Sequence, residues 1–290
     1  MKALIFETPN KPIIADVPMP TMKDTEVMIK THTIGICHSD YELLAGRYII
    51  PISYPIIPGH EWSGEIIEVG KLVKNFKVGD RVVGECVVKT PERLHHFGFS
   101  MNGADREFFS VNPEWLHKLP DSVDSMRASL IEPFTCGFYA MLRSGGTNAS
   151  ETVVVSGGGT IGLVTAAAAL GMGARVIVAD PIAKRREIAM KLGAETIDPT
   201  DHGVDKIKQK TGGKGADLVV ECAGQNGLER KNFLKVLFDM QPKWAFSADF
   251  LKNTCAMPSM IEHNTTNSTP TMVGLIARCR CRYGCRDAYG

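Results

Sequence analysis

The 290 residues predict an α/β chain of two domains, an antiparallel barrel-like domain followed by a parallel sheet. Three observations carry that expectation. Residues 1 to about 120 hold short β-type runs broken by Pro and Gly, strands alternate with helical stretches from Thr152 onward, and a glycine-rich turn opens the second pattern.

In the first region the runs are Ala3-Leu4-Ile5-Phe6, Glu26 to Lys30, Gly64 to Gly70 and Asp80 to Gly84. Their spacing and turn chemistry read as a compact antiparallel barrel. In the second region Val153-Val154-Val155 reads as a buried strand and Ile161 to Leu170 as an Ala-rich helix. Ala174 to Ala179 follows as a strand, Ala183 to Leu192 as a charged helix and Asp217 to Cys222 as a further strand. Such alternation implies βαβ units and a parallel sheet. Near Met240 the periodicity fades, Asn253 to Pro270 is rich in Asn, Thr, Ser and Met, and Cys279 to Arg286 has neither a helix nor a strand period. With no further strand to cover it, Leu218 to Cys222 would be an apolar sheet edge, which proteins avoid because it invites aggregation. No fixed-period internal repeat stands out.

Composition narrows the function. Hydrophobic residues make up 44% of the chain and charged residues 22%, a balance that supports a buried core. Thirty-three basic and 32 acidic side chains give a formal charge of +1, so no overall field favours nucleic acid, a membrane surface or a polyanion. A small-molecule role is expected. Eight cysteines at irregular positions and a start without an apolar signal region argue for a reducing, cytoplasmic setting. The longest apolar run, Ile161 to Ala174, falls short of the ~20 residues of a membrane span.

The most specific local signal is Gly157-Gly158-Gly159-Thr160-Ile161-Gly162, a G-x-G-x-x-G turn directly after a strand and before a helix. Its glycines allow the turn, a close approach of backbone to a pyrophosphate, and a helix lying near its strand, while amides at the helix start attract the anion. Gly157, Gly159, Thr160, Ile161 and Gly162 are thus candidate cofactor contacts. Asp180 ends the next strand, where a carboxylate accepts hydrogen bonds from a ribose, which favours NAD over NADP. Arg185, with Lys184 and Arg186, follows closely and either softens that preference or belongs to a solvated helix face.

A second constellation is metal-like. Cys37-His38-Ser39-Asp40, Gly59-His60-Glu61 and Ile131-Glu132-Pro133 offer a thiolate, an imidazole and two carboxylates, and a catalytic zinc takes three protein ligands and keeps one position open. Taken singly, a cysteine is more often a small buried hydrophobe and a histidine a satisfied polar residue.

Together with Val78-Gly79-Asp80-Arg81-Val82, these motifs occur in an order that resembles the zinc-dependent medium-chain alcohol dehydrogenases, nearest their sorbitol (polyol) dehydrogenase branch, over roughly residues 1 to 235. The resemblance implies a GroES-like antiparallel β-barrel over residues 1–145, a Rossmann doubly wound parallel sheet over 146–240 that is incomplete, and an atypical tail over 241–290. It makes Cys37 and His60 zinc ligands, Glu61 a ligand or alternating ligand, and Glu132 the carboxylate that polyol-type members carry in place of a second cysteine. Ser39 matches the hydroxyl that hands on the substrate's proton. Asp40 is implied to orient His60, and His38 to lie near the cofactor phosphates. The implied activity is hydride transfer from a secondary alcohol or polyol to NAD, with zinc as the Lewis acid.

Two departures qualify the resemblance. Many relatives carry a four-cysteine structural zinc lobe, but from Val83 to Asn102 this chain offers only Cys86, with His95 and His96 on what reads as an exposed loop. One zinc, with no structural zinc, is expected. The tail from Gln241 lacks the Gly-Gly turn and β-branched strands that should follow, and reads as a foreign or frame-shifted continuation or as disorder. Cys279, Cys281 and Cys285 lack the C-x-x-C pairs of a metal cluster. Two other readings stand beside the dehydrogenase: a non-catalytic relative that keeps zinc or NAD binding, and a zinc-free quinone-reductase-like protein. Neither the alcohol nor the oligomeric state is fixed by the sequence, although the family allows a homo-oligomer.

Overall fold

The structure, a computed structural model, describes residues 1–223 apart from 49 and 51, and the backbone of a strand at Trp244–Ser247. The described residues fall into two compact units, one ending at Glu132 and one beginning at Pro133.

In the first unit, β1 (Lys2–Thr8) and β2 (Lys11–Asp16) form a hairpin. β3 (Val27–Gly35) leads through Ile36 and Cys37 into α1 (His38–Leu44). β4 (Glu61–Val69), β5 (Arg81–Gly84), β6 (Val87–Lys89), β7 (Leu94–His96), β8 (Phe108–Val111) and β9 (Leu116–Lys118) follow. Five of these make an antiparallel sheet in the order β8-β3-β4-β5-β9. Alternate residues of its strands point inward, and Val27, Ile29, Trp62, Ile66, Val82, Phe109 and Leu116 meet in one buried cluster. Trp62 and Phe109 contact edge to face at 4.9 Å, a preferred aromatic geometry. The expected exposed loop after β5 is instead the hairpin β6–β7, with Val87 and Val88 buried. Two adjacent β-branched residues favour a strand over an open loop. The short helix α2 (Ser125–Ala128) precedes α3 (Ile131–Arg143), which begins at the end of the first unit and runs into the second.

The second unit holds β10 (Thr152–Ser156), α4 (Thr160–Gly171), β11 (Arg175–Ala179), α5 (Ala183–Lys191), β12 (Glu195–Ile197), α6 (Gly203–Lys210), β13 (Leu218–Glu221) and β14 (Trp244–Ser247). The strands are parallel in the order β12-β11-β10-β13-β14. Both faces of the sheet are covered. Val153 and Val155 pack with Ala166 and Ala169 of α4, while Val154 on the opposite face packs with Ile207 of α6. Such two-sided burial produces the unbroken Val run of β10.

One expectation is corrected. Leu218–Cys222 is not a bare edge, because Trp244–Ser247 pairs with β13 in register, Leu218 opposite Trp244 and Glu221 opposite Ser247. Trp244-Ala245-Phe246-Ser247 holds no β-branched residue, but aromatic residues favour strands as well. The Cys279, Cys281 and Cys285 run and the remainder of the tail lie outside the described residues. Among the described residues no helix is long and apolar enough to cross a membrane.

Candidate metal and nucleotide sites

The metal-like residues converge. β3 ends at Gly35, which pairs with Glu61 at the start of β4, so two strand ends place residue 37 beside residues 60 and 61. A Cβ on Gly35 would fall 2.3 Å from Glu61 Oε2, so only glycine leaves room for that carboxylate. Cys37 Sγ, a His60 ring nitrogen and a Glu61 carboxylate oxygen all lie within 4.8 Å of one another. Zinc bonds of about 2.0–2.3 Å put the donors of one shell roughly 3–4 Å apart, so this donor set fits a metal after modest side-chain adjustment.

The ring of His60 is oriented from both sides. Its Nε2 lies 3.5 Å from Ser39 Oγ and its Nδ1 3.4 Å from Asp40 Oδ1. The second approach is too poorly aligned to count as a hydrogen bond, and both atoms are buried without another partner. Asp40 Oδ2 accepts from Cys37 N at 2.9 Å, tying the start of α1 to the same carboxylate. Phe99 closes one side of the imidazole at 4.7 Å between ring centres.

Electrostatics mark the site. Burial alone would lower the pKa of His60, but Asp40, Cys37 and the charge of Glu132 together hold it well above its ordinary value. Burial raises Glu61, while His60 and Cys37 oppose the rise. Burial, with the charges of Glu61 and Asp40, pushes Glu132 up to about 7 against the pull of His60. The residue as a whole is only part-buried while its carboxyl group lies deep, which is the burial that matters for the proton. Asp105, raised to about 7 by burial and by Asp40, joins the cluster. Buried ionisable groups with mutually shifted pKa values are characteristic of functional sites.

His38, which the resemblance sets near the cofactor phosphates, stands on the first turn of α1. It is largely exposed, with Nε2 3.3 Å from Glu42 Oε1. Cys86 packs beside Phe6, Leu43, Ile56 and Phe99. Two residues escaped the sequence reading, Gly35 and Asp105. Glycine directly before Ile36-Cys37, and a carboxylate just after Gly103-Ala104 on the approach to β8, were the available signals.

In the second unit the glycine turn sits at the C-terminal end of β10, beside β13, where the strand order reverses and open α/β sheets bind ligands. Gly157 has φ 101° and lies against the backbone of Cys222 and Ala223. A Cβ on Gly162 would fall 1.8 Å from Gly157 O, so α4 can start this close to the turn only with glycine there. Gly159 caps α4 without a side-chain bond, and a Cβ on it would meet nothing within 4 Å. That open cradle under free amides suits a phosphate. Thr160 is exposed and Ile161 half-buried on the first turn.

Asp180 is 2% exposed. Its Oδ2 accepts from Gly158 N at 2.7 Å and its Oδ1 from Ile182 N at 2.8 Å. Arg185 Nη1 lies 3.4 Å from Oδ2 with the side chain half exposed. Arg186 is committed to the fold, donating to Asp180 O, Pro181 O and Asp198 Oδ2.

Comparison with known proteins agrees with this arrangement. Residues 23–121 match the alcohol dehydrogenase GroES-like domain and residues 160–235 the zinc-binding dehydrogenase domain. The chain is 36% identical to a (R,R)-butanediol dehydrogenase of Bacillus subtilis, over 77% of this chain and 71% of that one. It is 33% identical to a sorbitol dehydrogenase of the same organism, over 77% and 69%. Among solved structures, an alcohol dehydrogenase of Escherichia coli complexed with NADH superposes with a TM-score of 0.70 at 30% identity, over 78% of this chain and 70% of that one. A zinc-binding dehydrogenase of Sinorhizobium meliloti bound to NADP superposes with a TM-score of 0.70 at 29% identity, over 77% and 70%. The chain spans between 62% and 72% of the length of the similar curated relatives. With both family domains matched in order and this identity over most of its length, the chain belongs to the zinc-dependent medium-chain alcohol dehydrogenases, in their polyol dehydrogenase branch.

Proposed function

We propose that this chain is a dehydrogenase that uses one zinc ion and NAD to move a hydride between a secondary alcohol or polyol and the nicotinamide. The observation that carries the reading is the convergence of Cys37, His60 and Glu61 within 4.8 Å in a chain that also bears the glycine turn. When bound, zinc supplies a Lewis acid for the alcohol oxygen and NAD a hydride acceptor. Cys37, His60 and Glu61 hold the metal, with Glu132 as the alternative third ligand. A carboxylate in place of a second thiolate withdraws less positive charge and leaves a harder site suited to an oxygen substrate. His60 must lose its extra proton before its Nε2 can act as a ligand, so metal binding releases a proton. Ser39 Oγ, beside Nε2, takes up the proton that leaves the substrate hydroxyl and passes it towards solvent.

The free amides at the start of α4 hold the pyrophosphate, and Thr160 and Ile161 lie on that turn. Asp180 Oδ1, which accepts from Ile182 N, keeps a second lone pair for a ribose hydroxyl, which supports NAD. Arg185 is the half-exposed cation best placed to meet a 2′-phosphate, so some tolerance of NADP belongs to the same reading. Cys37 and Cys222 are free thiols in the structure, in keeping with a reducing cytoplasmic setting.

The test is NADH absorbance at 340 nm over a panel of secondary alcohols and polyols, with zinc content measured on the same protein. Turnover that stops with a chelator and returns with zinc is the expected result. Bound zinc without turnover would identify a non-catalytic relative, and turnover without zinc the quinone-reductase-like alternative.

A further inference from the structure

Behind the metal donors lies a carboxylate that the proposed reaction does not use. Asp105 stands in the segment before β8, laid alongside the run that delivers His60 and Glu61 by a short ladder of hydrogen bonds. Gly103 N donates to Ile57 O at 2.7 Å, Ala104 N to Gly59 O at 2.9 Å, and Asp105 N to Pro58 O at 3.1 Å. Ile57 N in turn donates to Asn102 Oδ1 at 3.0 Å. Gly59 has φ +94°, and a Cβ on it would fall 2.1 Å from Asp105 Oδ1. The carboxylate therefore fills the space that a side chain at position 59 would take, one residue from the imidazole.

Three buried polar atoms gather at this spot without a hydrogen-bond partner among the described residues: His60 Nδ1, Asp40 Oδ1 and Asp105 Oδ1. Asp40 and Asp105 oppose each other's charge, and His60 attracts both. Two buried carboxylates behind one imidazole are costly unless a positive charge on the far side of the ring compensates them. A cation held by Cys37, His60 and Glu61 supplies that compensation.

We propose that Asp105 is a positioning residue for the metal site: it wedges Gly59 and, with Asp40, presents His60 with Nδ1 to the rear and Nε2 to the metal. The inference rests on the zinc reading above. Residues behind a metal-bound histidine are worth about 10–100-fold in metal affinity.

The test measures zinc affinity by competition with a chromogenic chelator, and the visible absorption of the cobalt-substituted protein, for the full chain and its Asp105→Asn and Asp105→Ala variants. Asparagine keeps the wedge and removes the charge, and should weaken zinc ~10-fold with a near-normal cobalt spectrum; alanine removes both, and should approach ~100-fold with shifted bands. If alanine fails to fold, the asparagine variant decides. Wild-type affinity and spectrum in the folded variants overturn the proposal, even where their metal-free melting temperature drops, since a packing role alone would do that. A wild-type chain that binds no zinc overturns the zinc reading and this proposal together, whereas zinc bound equally by wild type and variants overturns this proposal alone.

Discussion

The metal unit and the nucleotide unit each prepare to hold a charged group, and they do it in opposite ways. The nucleotide site is one contiguous turn made of backbone, with Gly162 so close to Gly157 O that a single added carbon would collide. The proposed metal site is made of side chains drawn from just after β3, the start of β4 and the start of α3, and its carboxylates set one another's pKa values. A site built from backbone is sensitive to added atoms and nearly indifferent to charge, whereas one built from ionisable side chains is sensitive to each charge removed.

That contrast can be broken by experiment. Cys37→Ser or His60→Ala should abolish bound zinc and turnover together, read by metal analysis and NADH formation; normal rates in either variant would remove the metal site from the chemistry. Ser39→Ala should lower turnover by about 10²-fold with zinc retained, the size expected for loss of a proton-transfer group. Gly162→Ala should cost about 1–3 kcal/mol in stability through overpacking and weaken NADH without touching zinc, which thermal melting and fluorescence titration would separate. Asp180→Ala should weaken NAD by about tenfold, the loss of one charge-assisted hydrogen bond of ~1.5 kcal/mol, and unchanged affinity by calorimetry would misplace the ribose.

The smallest effect is a pH dependence. In the metal-free protein Glu132 and Asp105 sit at about 7 instead of 4.5 and 3.8, so the folded chain holds protons that the unfolded chain has released between those values. Folded stability is then highest below about pH 4 as far as these groups are concerned, and declines as pH rises through 7. His60, raised above 6.5, continues the decline beyond that. Saturating zinc should reverse the slope, because the metal takes the place of those protons. Melting curves from pH 5 to 8 with and without zinc would show the two trends crossing, and parallel curves would deny that the metal and the protons share a site.

How much of this was legible beforehand follows the same division. The Gly157 turn is complete within six residues, so its strand, helix and Asp180 partner were readable from order alone. The metal donors were readable only as scattered residue types until the family resemblance joined them, because the pairing of Gly35 with Glu61 is a fact of sheet register. Asp105 stayed hidden for the same reason, since its neighbour Gly59 is distant in sequence. The covering strand at Trp244–Ser247 went unread because its residues are not β-branched and the sequence around them has no hydrophobic period.

The uncapped start of α4 carries one more consequence. With Gly159 offering no side chain to its own helix, the arriving diphosphate must itself serve as the missing cap. Cofactor binding and local helix order then become one event, and deuterium uptake by the amides of Thr160, Ile161 and Gly162 should slow sharply when the nucleotide is added.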